Sequence, residues 1–519
     1  MALQWLSLIG AIWLQSINGT NSNFPSYSSE LKKLLSISQL QLNNLAFASD
    51  AGKLLGWISG IAAAHLPLWL VLLIGSFLGL IGYGLQFLCF TNQISSVSYW
   101  HIFLLTVLAG NSICWINTVC YIIAIKNFPY DRQIAVGIST SYVGLSAKIY
   151  TDLVDVTSTS HFDRAKMFLF MNSLLPLMVC FVAAPLVKDV SVVKTRVLGR
   201  GFFILFFITI LTGFFAVVSS LGYGILRFLS PFMKLVGISV FFLLPLVIPL
   251  VEKVVEKVQH KCLIRVHDDE GFNNKSVLSI ENGEKLDDEV NNNNNNNNNR
   301  GDFLEHRVKE EIGPKVMLRR VEFWLYFFVY FFGATLGLVY LNNLGQIAES
   351  RGCSRTSSLV SLSSAFSFFG RLLPSLHDYF FSRSKFTVSR SAAMGLMMVP
   401  MCGAFFLLIN EKNMSLYIST AVIGICTGAI TSISVPTTIE LFGTKNFGVN
   451  HNILVSNIPI GSFMFGDFAA LLYKRGRISG EENCMGYQCY QTSFIIWGSL
   501  CALGTLLAFL LHARTKKLY

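Results

Sequence analysis

Charged and amide side chains are scarce in this 519-residue chain, yet several stand inside long apolar runs, where hiding each one costs free energy. Asp50 and Lys53 are three residues apart, which places both on one helical face as an ion pair. Burying such a pair is costly unless the groups meet well, so it reads either as structural or as a gate or ion-coupling device. Lys148 has Asp152 four residues on, and either pairs with it or binds an anion. Gln15 and Asn18 near the N-terminus, and Asn111 and Asn117 in a later apolar run, offer donors and acceptors to a polar solute; Gln15 lies deepest, Asn18 reads equally as helix-end hydration, and Asn111 and Asn117 as glue between helices. Arg371, Asp378 and Glu440 are charges near helix ends on one predicted face, where a guanidinium fork and two carboxylates would make a latch. Asp467 lies within an apolar run, and a carboxylate in that setting is a candidate for proton coupling.

No phosphate-binding glycine loop is present, and the histidines have no metal-ligand spacing. The reading is therefore of no enzyme, no metal and no cofactor. Work would come from a conformational cycle, with a small-molecule solute bound near the middle of a membrane between two helical bundles.

The elements that must position these residues are membrane helices. The chain is 53% hydrophobic and 13% charged, against about 25% charged in an ordinary soluble domain. Some fourteen apolar stretches divide it between Leu3 and Ala513, most near the length of about 20 residues that crosses a bilayer. Two are interrupted by polar groups, at 44–64 and 447–472; they are kept as spans because a helix packed inside a bundle can bury polar side chains. No Lys or Arg precedes the first apolar run and no small-residue cleavage site follows it, so it reads as a helix rather than a signal peptide.

Basic residues favour one set of alternate loops, which predicts that both termini face the cytosol. The net charge of +11 is explained by that bias and calls for no nucleic-acid partner. Residues 252–318 are polar and contain an unbroken asparagine run, Asn291 to Asn299, which predicts a disordered cytosolic linker between bundles at 1–251 and 319–519. Cys484 and Cys489 sit in a loop on the opposite, oxidising side, where a disulfide is expected.

Several local motifs accompany this layout. The first part carries Trp13-Leu-Gln-Ser-Ile-Asn-Gly-Thr20, Leu42-Asn-Asn-Leu-Ala-Phe-Ala-Ser-Asp-Ala-Gly-Lys53 and Lys126-Asn-Phe-Pro129. The second carries Gly370-Arg371, Glu440-Leu-Phe-Gly443, Gly448-Val-Asn-His-Asn452 and Cys484-Met-Gly-Tyr-Gln-Cys489. Together they resemble the plant nodulin-like, nuclear-fusion-defective 4-like group of the major facilitator superfamily. The resemblance implies an all-α polytopic fold of two helical bundles, with twelve core helices and two extra between the halves. It also implies a small-solute carrier of undefined substrate. One departure stands out: between the second and third spans the chain reads Gly56-Trp-Ile-Ser-Gly-Ile-Ala-Ala-Ala-His65, without the Asp and Arg usual in the superfamily. Two functions remain open: a secondary carrier of a small polar or anionic solute, and a non-transporting scaffold or sensor on the same fold.

Overall fold

The computed structural model describes residues 2–94, 98–158, 161–190, 199–221, 230–254, 257–258, 311–353, 356–381, 389–475 and 484–516. We number in chain order the helices that correspond to the expected spans, leaving out the shorter Phe24–Leu35 and Pro314–Met317. The first six are Ala2–Ile17, 39–65, Leu68–Phe90, Tyr99–Asn127, 132–157 and His161–Ala183. The seventh and eighth are Gly199–Leu221 and Pro231–Val254. The ninth to fourteenth are Val321–Ser350, Thr356–Phe381, Arg390–Leu407, Asn413–Phe442, Phe447–Arg475 and Gln488–Thr515.

Eleven of the described helices are long and apolar enough to cross a membrane. The first, second and fifth miss that measure for identifiable reasons. The first has only 16 residues before the chain turns at Gly19. The second and fifth are too polar along their length, carrying Asp50 and Lys53 in one and Lys148 and Asp152 in the other, and each is also bent by a 3₁₀ turn, at Gly52–Leu55 and Tyr142–Leu145. The ninth and thirteenth helices carry π turns, at Phe331–Thr335 and Ser462–Gly466. Such irregular turns often accompany functional sites, because they redirect side chains and free backbone groups.

Local sequence explains the start of the second helix and its close packing. Ser38 caps it, accepting a hydrogen bond from the Gln41 amide while the Gln41 side chain accepts one from the Ser38 amide. At Gly52 a Cβ atom would strike the Val107 carbonyl and the Asn111 amide, so only glycine lets the 3₁₀ turn lie against the fourth helix. Large apolar side chains such as Phe203, Phe207, Phe214 and Leu506 are exposed on the outer surface. Water would penalise that surface; a bilayer covers it. The protein is an integral, multi-pass membrane protein.

The two halves meet chiefly through the second and thirteenth helices and through the fifth with the tenth and twelfth. One apolar cluster crosses that boundary, joining Tyr121 and Tyr142 of the first half to Phe368, Leu372 and Phe447 of the second. Gly60 meets Gly448 so closely that a Cβ on Gly60 would collide with the Gly448 backbone. The seventh and eighth helices flank this seam. The seventh packs on the tenth, with the Tyr379 hydroxyl donating to the Gly199 carbonyl at 2.9 Å, and the eighth packs on the fifth.

Of the expected linker, residues 259–310, including the asparagine run, lie outside the described residues. Its last stretch packs on the second half, because Ile312 and Met317 are buried in that half's core and the Ile312 amide donates to the Phe442 carbonyl at 3.0 Å. Residues 311–318 are thus packed against the second half.

Candidate functional site

Most of the amides expected to meet a solute are occupied by the protein. Asn18 donates to the Ile113 carbonyl at 3.1 Å and to Asn117 Oδ1 at 2.9 Å, which ties the first helix to the fourth. Asn111 donates to the Gly52 carbonyl at 2.8 Å and accepts from Trp115 Nε1 at 2.9 Å, which closes the 3₁₀ turn onto the fourth helix. These bonds satisfy polar groups that membrane burial would otherwise penalise. Lys148 pairs with Asp152 at 2.5 Å, so its charge is compensated within the fifth helix. Gln15 differs: it is fully buried, and neither polar atom of its amide has a hydrogen-bond partner.

Two polar clusters join the halves, at different depths. The first gathers around Asp50, on the last turn before the 3₁₀ break. Its Oδ1 meets Lys53 Nζ at 2.5 Å; its Oδ2 accepts from Asn342 Nδ2 at 3.0 Å and from Ser462 Oγ at 2.7 Å. Lys53 and Asp50 come from the first half, Asn342 and Ser462 from the second, and Ser462 opens the π turn. Further along, Gln346 Nε2 donates to Asn43 Oδ1 across the same seam at 2.7 Å. Asp467 is half-buried and lines, with Asn43, Asn342 and Asn343, a small opening at this end.

The second cluster lies at the end where the first helix begins and the last one finishes, which we call the terminal face. Of the three charges expected to form a latch, Asp378 and Glu440 meet Arg390 and not Arg371. Arg390 Nε donates to Glu440 Oε1, and Nη1 donates to Asp378 Oδ2 at 3.3 Å and to Gln133 Oε1 at 2.8 Å. Glu440 and Asp378 belong to the same half as Arg390, whereas Gln133 opens the fifth helix of the other half. Ser375 Oγ adds a second crossing bond, donating to the Gln133 carbonyl at 2.8 Å. The physical reason for the exchange is depth: Asp378 is nearly two helical turns beyond Arg371, towards the terminal face, where Arg390 starts its own helix.

Arg371 instead enters the seam between the two clusters. Its Nε is sealed with no hydrogen-bond partner, while the residue as a whole keeps part of its surface accessible, as it would beside an internal space. Tyr121 of the first half and Tyr330 of the second lie within electrostatic reach of it, and Tyr330 also feels Lys53. His451, stacked on Phe447 and edge-on to Tyr121, donates or accepts with Thr438 at 3.1 Å just beyond. Sequence reading missed Gln133, Arg390, Asn342, Ser462, Tyr121 and Tyr330 as members of these clusters. In the sequence Arg390 is one of many basic residues at a helix end, and the others resemble routine helix residues; only tertiary contact distinguishes them.

At the far end of the fourteenth helix, Cys484 and Cys489 are joined in a disulfide. Nearby Arg351 lies over the Phe494 ring, 5.7 Å from its centroid, and donates to the carbonyls of Asn410 and Leu408; burial lowers its pKa from the usual guanidinium value. At the terminal face, Glu311 receives the amides of Thr444 and Lys445 at 3.2 and 2.8 Å. Partial burial raises its pKa, but those hydrogen bonds prevail and hold the carboxyl below its usual range.

Known proteins place this architecture. The structure covers 98% of its own chain and 94% of the chain of the proton:xylose symporter XylE, a major facilitator superfamily protein, with a TM-score of 0.53 at 11% identity. Against a bacterial homologue of the human drug peptide transporters PepT1 and PepT2, it covers both chains fully, with a TM-score of 0.52 at 10% identity. These likenesses establish the fold. The nodulin-like family model matches residues 4–250, and the NFD4 C-terminal domain model matches residues 305–519. Protein NUCLEAR FUSION DEFECTIVE 4 of Arabidopsis thaliana is 37% identical over 534 residues, spanning 99% of this chain and 89% of that protein. The chain therefore belongs to the nodulin-like, nuclear-fusion-defective 4 family, on a major facilitator superfamily fold.

Proposed function

We propose that this protein is a secondary carrier that moves a small solute by alternating access, with both termini in the cytosol. The observation that carries the reading is the division of the inter-half polar bonds into two clusters at different depths. One is centred on Asp50 and Asn43–Gln346, the other on Arg390–Gln133. Each consists of a few hydrogen bonds, weak enough individually to break in turn and strong enough together to hold one side shut. On this reading, a state with both intact is occluded. Asp50 with Lys53 serves the far gate, and Arg390 with Asp378 and Glu440 the terminal one. Asp467, beside the far opening, is the group proposed to carry a coupling proton.

The test is flux of labelled metabolites into liposomes holding the full chain, with and without a pH gradient. Uptake should appear, and should stop when the double variant Asn43→Cys/Gln346→Cys is cross-linked across the far gate. Asp467→Asn should remove the response to the gradient while leaving exchange in place. A chain that moves nothing from a broad metabolite panel would instead be the scaffold or sensor.

A further inference from the structure

The cations buried between the helices do not stand alike. Lys53 is matched by Asp50, Lys148 by Asp152, and Arg390 by Glu440 and Asp378. Arg371 has no such partner: among the described residues no carboxylate approaches it within ion-pair distance, and its Nε makes no hydrogen bond. Arginine does not escape this by losing a proton, since its guanidinium stays charged in proteins. An uncompensated cation inside a membrane protein is expensive, and such groups mark ligand paths. At its own depth in the seam, away from the Arg390 cluster with its two carboxylates, Arg371 is therefore one uncompensated positive charge. Two buried tyrosines, Tyr121 from the first half and Tyr330 from the second, lie within electrostatic reach of it.

We infer that the carried solute bears a single carboxylate, held by the Arg371 guanidinium between Tyr121 and Tyr330. This deepens the transport reading and rests on it. One excess charge matches a monoanion, whereas a phosphate dianion would leave a negative charge unbalanced. The planar fork matches a carboxylate through two parallel hydrogen bonds. Because the two tyrosines come from opposite halves, the anion also bridges the seam, so that binding favours closure around it.

The experiment is thermal unfolding of the full chain in lipid nanodiscs. The titrants are monocarboxylates from acetate to octanoate with hydroxy- and amino-acids, the corresponding amides, and inorganic phosphate. At least one carboxylate should stabilise the protein where its amide does not. Arg371→Gln should weaken that carboxylate by about 10- to 100-fold, the worth of a charge-assisted hydrogen bond, with Arg371→Lys between the two. The ligand-free Arg371→Gln protein should unfold later than the parent, because it has lost an uncompensated charge. Three results would overturn the inference: no carboxylate preferred over its amide, phosphate preferred over every carboxylate, or unchanged binding in Arg371→Gln. Earlier unfolding of ligand-free Arg371→Gln would make Arg371 structural and overturn it too. A carboxylate bound through Arg371 but never moved across liposomes would sink the transport reading and leave this site standing. Flux of a neutral solute indifferent to Arg371→Gln would do the reverse.

Discussion

Replacing Arg390 with Gln should open the terminal face. Glu440 and Asp378 stay with it in the second half when the halves separate, so their bonds contribute little to the opening equilibrium. The 2.8 Å bond to Gln133 crosses the seam. A hydrogen bond with one charged partner is worth about 1.5–3 kcal/mol. Water recovers part of that on opening, so a net loss of about 1.5 kcal/mol is reasonable, or roughly a tenfold rise in the open population. Gln133→Ala should produce a similar rise through the same bond. The reporter is Ser375, which is fully buried against the Gln133 carbonyl. As Ser375→Cys, it should react with a membrane-impermeant maleimide roughly tenfold faster in either variant. Labelling that stays within about twofold of the parent in both variants would refute the gate built on Arg390.

Three further outcomes follow from other contacts. Asp50→Ala leaves Lys53 buried without its partner and should cost about 3–5 kcal/mol of stability, whereas Asp50→Asn with Lys53→Met should recover most of it; thermal unfolding of the pair decides. Peptide mapping without reduction should recover Cys484 linked to Cys489, and because the bridge closes a loop of sequence separation 5, reduction should lower stability by about 2 kcal/mol at most. Glu311 has a depressed pKa, so the stability it lends to the 311–318 segment is present above the ordinary Glu value and is lost as pH falls through its lower folded value. Hydrogen exchange in that segment, corrected for intrinsic rates, should rise below about pH 4.3, and Glu311→Gln should exchange fast already at neutral pH.

The membrane class and most spans are legible in the sequence because an apolar run such as Leu68–Phe90 has one stable environment. Local ion pairs are legible for the same kind of reason: helix geometry alone brings Lys53 to Asp50 and Lys148 to Asp152. The exchange of Arg371 for Arg390 in the latch was not legible. Both stand at or near helix ends, and which of them meets Glu440 depends on how deep the tenth helix sits against the eleventh and twelfth. Asn18 and Asn111 show the other limit. An amide's residue type does not say whether it faces a solute or, as here, a neighbouring helix's backbone. Nor does the sequence reveal the π turn that turns Ser462 towards Asp50, since no residue type demands one.

The claim at the centre of this account is that the two faces open in alternation. Spin-label distances test it most directly, with one pair at Gln93 and Glu411 on the far face and another at Tyr130 and Lys445 on the terminal face, all four exposed. The account predicts that Arg390→Gln lengthens the terminal pair and shortens or holds the far pair, and that Asn43→Ala with Gln346→Ala does the opposite. Two pairs that lengthen together, or distances unmoved by either set of changes, would contradict it.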